Sequence, residues 1–392
     1  MCYTLTMDKI EKLLTRGVVN IIPNKEALKK LLTSGKKLNI YLGIDPTATK
    51  IHLGHAIILR KLNEFAKLGH NVTFLIGDFT ALIGDTSDKD TERPVLTSAE
   101  IQENFKTYKK QAEKILDFSK VNVRNNSEWL KKLSFEEIVK LCQKFSVGDF
   151  ISRELIKKRL NEGKKVGLHE ILYPIMQGFD SLTLDTDIQI GGPDQTFNMQ
   201  AGRTLIKDLK NKESFVLATE FLMGTDGRKM SKSWGNAIWL DDNPNDMFAK
   251  IMAINDDLID QYFILATNED LKKTKEIKSG RNPMDIKKKL AKIIIAKLHC
   301  EEVAEEAAEN FAKTVQNKEV PSEIADIVVK DNATALIMLV ETKFASSKSE
   351  AKRLIEQGGV TLNGKKITDP DAKIAEGILK VGKKRFAKIV IE

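Results

Sequence analysis

Apolar and polar residues alternate from Lys37 to Ile44, the period of a strand, and the run ends in a proline-containing loop, Asp45 to Ile51. From Leu53 to Leu68 the apolar residues recur at helical spacing, and Gly69 stops the pattern. Val72 to Ile76 is a short apolar run of the kind that forms a buried strand. Strand, helix and strand in this order predict a βαβ unit. Such units build doubly wound parallel sheets, whose ligands bind beyond the C-terminal ends of the strands. Leu133 to Leu160 reads as a largely helical stretch interrupting the sheet, and Gln189 to Gln195 as a loop around Gly191 and Gly192. Gly224 to Gly235 is a glycine-punctuated loop, and Met247 to Val315 reads as nearly all helix. Pro321 to Asp331 reads as the approach to a final module.

Composition narrows the class. The 392 residues, 42% hydrophobic and 30% charged, are enough for two or three domains with ordinary cores. Cys2, Cys142 and Cys300 lie far apart, which argues against a structural zinc site or a disulfide framework and fits a reducing compartment. No apolar run approaches the roughly 18–20 residues of a membrane span, and Met1 to Lys9 lacks the regions of a signal peptide. A soluble, cytoplasmic protein without a membrane partner is expected. The net charge is +8, and about half of that excess lies in Asp331 to Glu392, where twelve Lys and Arg face eight Asp and Glu. A basic terminal module points to a polyanionic partner.

Two short motifs carry candidate chemistry. His52-Leu53-Gly54-His55 sits where the first loop becomes a helix. Helix-start amides favour phosphate there, and imidazoles three residues apart share one face. Gly54, without a β-carbon, lets a flat ring lie against the backbone. Alone, the motif reads better as two surface histidines at a helix start. Lys229-Met230-Ser231-Lys232-Ser233 lies between Gly224, Gly227 and Gly235, so two ammonium groups on a hinged loop can close over a triphosphate. In a lysine-rich chain that stretch is also an ordinary solvated loop. The two motifs gain weight from their order, each in the right kind of loop on one sheet.

Together they resemble the HIGH and KMSKS signatures of the class I aminoacyl-tRNA synthetases. Tyr41-Leu42-Gly43-Ile44-Asp45-Pro46-Thr47-Ala48, Leu82-Ile83-Gly84-Asp85, Tyr173 to Asp180 and Gln189 to Gln195 are similar, in order, to further site segments of the bacterial tyrosyl-tRNA synthetases. The resemblance runs from about Asp8 to the C-terminus. It implies that Tyr41 and Asp180 bind a phenolic hydroxyl, that Asp85, Tyr173 and Gln177 hold an ammonium group, and that Gln195 lies near a carboxylate. It implies that Thr47 and His52 stabilise ATP phosphates, with Gly43, Asp45, Gly54, His55, Gly192 and Asp194 around the nucleotide. Lys89 and Arg93 then join Lys229 and Lys232 in clamping pyrophosphate. Mg2+ enters as Mg–ATP, and no metal is bound by the protein itself.

The last module, Ser346 to Ile355 followed by Gly358 to Gly364, resembles the αL RNA-binding domain of a ribosomal protein. Lys348, Lys352 and Arg353 fall on one helical face, Asn363-Gly364 is a hairpin signal, and Lys383, Lys384 and Arg385 add charge. The fold expected is α/β. A doubly wound parallel-sheet, Rossmann-like catalytic domain spans 1–245 with a helical insert at about 125–165. An α-helical tRNA-binding domain spans 246–325, and a small α+β RNA-binding domain spans 331–392. The function implied is ATP-dependent ligation of tyrosine to tRNA(Tyr) by a homodimer. A tryptophanyl-tRNA synthetase is the nearest alternative, disfavoured because an indole N–H only donates and leaves part of the Tyr41 and Asp180 pair unused. An inactive paralogue that binds structured RNA is disfavoured by intact His52, His55, Lys229 and Lys232. An adenylyltransferase without tRNA would not need the basic module.

Overall fold

Six strands of a computed structural model form its first sheet: β1 (Val18–Ile22), β2 (Asn39–Ile44), β3 (Asn71–Ile76), β4 (Val121–Asn125), β5 (Ile188–Gly191) and β6 (Phe215–Thr219). The structure describes residues 2–47, 49–85, 96–313, 326–329, 333–345, 347–382 and 385–391. The sheet order is β1-β6-β5-β2-β3-β4, parallel throughout except for β1, which runs antiparallel along β6. Every residue of β5 and β6 is buried, as expected where helices cover both faces of a parallel sheet. The chain moves outward from β2 through β3 to β4, then returns to β5 on the other side of β2. That reversal opens a crevice beyond the C-terminal ends of β2 and β5.

Two helices bring side chains to this crevice. Leu53–Lys67 starts at the His52 cap and buries Leu53, Ala56, Ile57, Leu59, Leu62, Phe65 and Ala66, the stripe its spacing predicts. Leu168–Thr183 follows the helical insert, which comprises Phe135–Cys142, Val147–Ile151 and Glu154–Asn161. Steps of four and three residues put Tyr173, Gln177 and Asp180 on one face of it. Its first turn is anchored by a buried pair: Arg159 donates to both Glu170 oxygens, at 2.6 and 3.1 Å, and the Gly167 amide donates to the same carboxylate at 2.8 Å. Pro174 lies inside this helix and has no amide to donate to the Glu170 carbonyl. Arg153 Nη2 reaches that freed oxygen at 3.5 Å.

The chain divides into two compact units, Met1–Glu301 and Glu302–Glu392. The helices Pro244–Met252, Ile259–Ala266, Leu271–Lys278 and Pro283–Leu298 belong to the first unit. A physical reason lies at the C-terminus of Ile259–Ala266, whose last carbonyls have no partner within the helix. Arg16 donates to the carbonyls of Phe263, Ile264, Thr267 and Glu269, and Arg60 to that of Leu265. Tyr262 adds a 2.8 Å bond to the Met223 carbonyl.

The second unit holds a five-stranded sheet: β7 (Asp326–Val329), β8 (Val360–Leu362), β9 (Lys365–Lys366), β10 (Gly377–Val381) and β11 (Arg385–Ile391). Its order is β7-β11-β10-β8-β9, with only β7 and β11 parallel. Helices Ala335–Glu341 and Lys348–Glu356 contribute Met338, Leu339, Ala351 and Ile355 to a core shared with Val360, Leu379, Val381, Ala387 and Ile389. This is the α+β module expected, although its first strand begins at Asp326, ahead of 331. Asn363 and Gly364 turn β8 into β9 with φ of +49° and +79°, the positive values a two-residue hairpin turn requires.

Candidate active site

A cavity of about 780 Å³ occupies the crevice. Its inner end lies against β2. The Tyr41 ring is buried there, and its hydroxyl donates to Gln189 Oε1 at 3.1 Å and shares a 2.8 Å bond with Ser181 Oγ. Burial, then the neighbouring Asp180, pushes the phenol above its usual range. Asp180 faces the same cavity from the helix Leu168–Thr183 and is 3% exposed. Its carboxylate accepts from Trp129 Nε1 at 2.7 Å and from Asn126 Nδ2 at 3.2 Å. Burial raises this carboxyl to about 8 against the pull of those two donors, with Asp45 and Asp78 pushing the same way as burial.

A second chain of bonds links this end to the β2 loop. Asn126 Nδ2 also reaches Thr80 Oγ1 at 2.9 Å, and that hydroxyl donates to Asp45 Oδ1 at 2.7 Å. Tyr173 donates to the other Asp45 oxygen at 2.8 Å. Burial first, then Asp45 and Asp85, holds the Tyr173 phenol protonated. Farther along the wall Gln195 Nε2 donates to Asp85 Oδ2 at 2.6 Å, while its carbonyl accepts from Asn198 at 3.2 Å. Gln177 lines the same stretch.

The outer end is basic and histidine-lined. His52 and His55 stack with centroids 3.8 Å apart, and His55 Nδ1 accepts from the His52 backbone amide at 3.3 Å. The flat ring lying against Gly54 is that of His52: a β-carbon on Gly54 would stand 2.9 Å from the imidazole. Burial, with His55 and Lys229 adding to it, drives the His52 imidazole down to about 2, so it is neutral at physiological pH. Its Nδ1 is buried without a hydrogen-bond partner. Lys229 Nζ bonds Asp194 Oδ2 at 3.1 Å and stands 3.9 Å over the Phe221 ring. Asn236 holds the loop from inside, accepting from the Ser231 amide and donating to Asp226 and to the Lys229 carbonyl.

Most of the residues singled out in the sequence converge here: Tyr41, Gly43, Asp45, Thr47, His52, Gly54, His55, Asp85, Tyr173, Gln177, Asp180, Gly192, Asp194, Gln195 and Lys229 all line the cavity. Lys232 does not. It is exposed, in the turn Lys232–Trp234 at the rim. Lys89 and Arg93 lie outside the described residues. Sequence reasoning missed Thr80, Asn126, Trp129 and Ser181, which orient the acidic groups and Tyr41 without belonging to a recognisable motif. Gln189 stood inside a quoted motif, and its place on a strand beside Tyr41 was the available signal. In the second unit Lys348, Lys352 and Arg353 lie on the helix Lys348–Glu356, with Lys352 and Arg353 exposed opposite buried Ala351 and Ile355. Arg385 donates to the Phe344 carbonyl, and Lys384 lies outside the described residues.

A doubly wound sheet with a histidine-capped helix and a lysine loop across its switch point defines a class I synthetase. Residues 33–316 match the family described as tRNA synthetases class I (W and Y), and residues 336–377 match the S4 domain. A tyrosine–tRNA ligase of Carboxydothermus hydrogenoformans is 43% identical over 99% of this chain and 100% of its own, and one of Thermotoga maritima is 41% identical over 98% of each. The fold matches a C-terminally truncated Coccidioides posadasii mitochondrial tyrosyl-tRNA synthetase, with a TM-score of 0.65 at 24% identity, covering 79% of this chain and 95% of that one. The chain belongs to the tyrosyl-tRNA synthetase family. No described helix is long and apolar enough to cross a membrane.

Proposed function

We propose that this cavity activates L-tyrosine with ATP and passes it to the 3′ end of tRNA(Tyr). The observation carrying this reading is the polarity of the cavity, with a buried Asp180 beside Tyr41 at one end and Lys229 with His52 at the other. The phenol hydroxyl of the substrate bonds Asp180, whose orientation Asn126 and Trp129 fix. Asp85, Tyr173 and Gln177 surround the ammonium group, and Gln195 lies near the carboxylate. A carboxylate oxygen of tyrosine attacks the α-phosphorus in line and pyrophosphate leaves. The terminal ribose hydroxyl of tRNA then attacks the acyl carbon and AMP leaves.

No protein nucleophile is needed, because positioning and charge stabilisation supply the catalysis. Mg2+ arrives on the triphosphate as part of the substrate, where it neutralises phosphate charge. Thr47, the partnerless nitrogen of neutral His52 and Lys229 receive the phosphates, with His55, Gly43, Asp45, Gly54, Gly192 and Asp194 around the nucleoside. Lys232 joins when its loop swings inward, and Lys89 and Arg93 complete the pyrophosphate clamp. Phenylalanine is rejected chiefly at Asp180, since Tyr41 already has protein partners and is not left unpaired. This family is itself the usual illustration of that rule.

The remaining assignments follow the same reading. The insert exposes Phe135, Val139, Val147 and Ile151, an apolar surface suited to a second copy in a homodimer. Lys348, Lys352, Arg353, Lys384 and Arg385 contact tRNA phosphates. The protein works in the cytoplasm. Pyrophosphate exchange with each amino acid in turn tests the central claim. Tyrosine alone is expected to support exchange, and exchange driven by tryptophan, or by no amino acid, overturns it.

A further inference from the structure

Tryptophan is highly buried on average in folded proteins, yet Trp234 is 49% exposed. It ends the turn Lys232–Trp234, and Gly235 closes that turn in the left-handed region at φ +67°. The side chain lines the same cavity as His52, Asp194 and Lys229. Its orientation is braced. The Arg228 guanidinium stands over the indole with its carbon 4.6 Å from the ring centroid. Arg228 is held in turn by Asp226, to which its Nε and Nη2 donate at 2.8 and 2.6 Å. Asn236 donates to Asp226 at 2.7 Å, so the brace ends on a buried amide.

A flat aromatic surface, supported on one face by a cation and open on the other, stands at the mouth of a cavity read as an ATP site. A surface Trp that merely covered its own loop would bury more of its area against that loop. Phosphates would choose the neighbouring lysines, and tyrosine is held at the opposite end. What remains for the indole is a π-face, and the group both macromolecular and small substrates bring to this rim is a purine. We propose that Trp234 is a stacking platform for an adenine ring, supplied by ATP or by the 3′-terminal adenosine of tRNA. The proposal rests on the reading of the cavity as an ATP site and adds a residue outside the two signature motifs. Stacking of a base on an aromatic side chain is worth about 5- to 150-fold in affinity.

Two variants, Trp234→Leu and Trp234→Phe, test it, with separate Michaelis constants measured for ATP in tyrosine-dependent pyrophosphate exchange and for tRNA in charging. A rise of about tenfold in one constant for Trp234→Leu, with kcat little changed and with most of the loss restored in Trp234→Phe, supports the proposal. If KM for ATP rises, the adenine is that of ATP. If only KM for tRNA rises, it is that of the tRNA terminus. In the wild-type protein ATP or a CCA-ending oligonucleotide should quench indole fluorescence, and the quench should vanish in Trp234→Phe. Both constants unmoved in Trp234→Leu, or kcat falling equally in both variants, overturns it. Tyrosine-dependent exchange that persists in Trp234→Leu with unchanged constants removes this inference alone. Its absence from the wild-type protein removes the reading of the cavity as well.

Discussion

The indole of Trp129 donates its single N–H to the Asp180 carboxylate at 2.7 Å, across 51 residues of sequence. With Asn126 on the other oxygen, that contact fixes the orientation of the acidic group facing the substrate phenol. Burial raises this carboxyl to about 8.

A pH dependence of stability follows from this. A carboxyl raised in the folded state favours its protonated form there. Its contribution is full below the unfolded value of about 4 and is lost as pH rises through about 8. Asp180→Asn should therefore gain in melting temperature relative to the wild type between pH 5 and pH 9. A difference that stays flat across that range contradicts the assignment.

Lys297 carries the opposite case. Its Nζ is buried without a partner, and burial, with Arg60, Lys67 and Arg16 nearby, lowers its ammonium to about 7. The folded state favours neutral lysine, so the cost is full below pH 7 and fades as pH rises toward the unfolded value of about 10.4. Lys297→Met should raise the melting temperature at pH 6 to 7, with a gain that shrinks by pH 10.

The buried pair Arg159 and Glu170 anchors the helix that carries Tyr173, Gln177 and Asp180. Glu170→Gln leaves a buried guanidinium without its counter-charge and should cost about 3–5 kcal/mol of stability. Chemical denaturation measures the loss, and a change below about 1 kcal/mol would show that the pair is dispensable.

Lys232 is exposed at the rim and does not line the cavity, so it is expected to engage only as charge develops on the phosphates. Lys232→Ala should slow adenylate formation about 10²-fold with little change in tyrosine affinity. Equal losses in tyrosine binding and in rate would assign it to ground-state binding.

The unit boundary supplies a separate test. A chain ending after Glu301 keeps the whole first unit and should retain tyrosine-dependent pyrophosphate exchange. Charging of tRNA should collapse, because several phosphate contacts are lost with the basic module. Normal charging by the truncated chain would leave Lys348, Lys352, Arg353 and Arg385 without a role in tRNA binding.

Much of this protein is legible before any coordinates are known, for a local reason. Strand and helix periods, the stop at Gly69, and the Asn363-Gly364 turn all depend on residues close in sequence. The segments that carry Tyr41, His52, Asp180, Gln195 and Lys229 could be ordered along one sheet by the same means. What ties the helices after residue 245 to the rest of the first unit is non-local. Arg16 lies 248 residues from the Ile264 carbonyl it caps, and no periodicity reports such a bond.

The partners of the site residues were decided the same way. Nothing in the composition of Asn126 or Trp129 distinguishes them from ordinary core and cap residues until the sheet brings β4 and the following turn beside the helix Leu168–Thr183. Tyr41 reads in sequence as a hydroxyl waiting for substrate, yet in the fold Ser181 and Gln189 already occupy it. Sequence alone determined which side chains are chemically able to serve the reaction and which elements bear them. Only the tertiary structure decided which of those groups are already satisfied, because a buried polar group takes whatever partner the packing places within 3 Å.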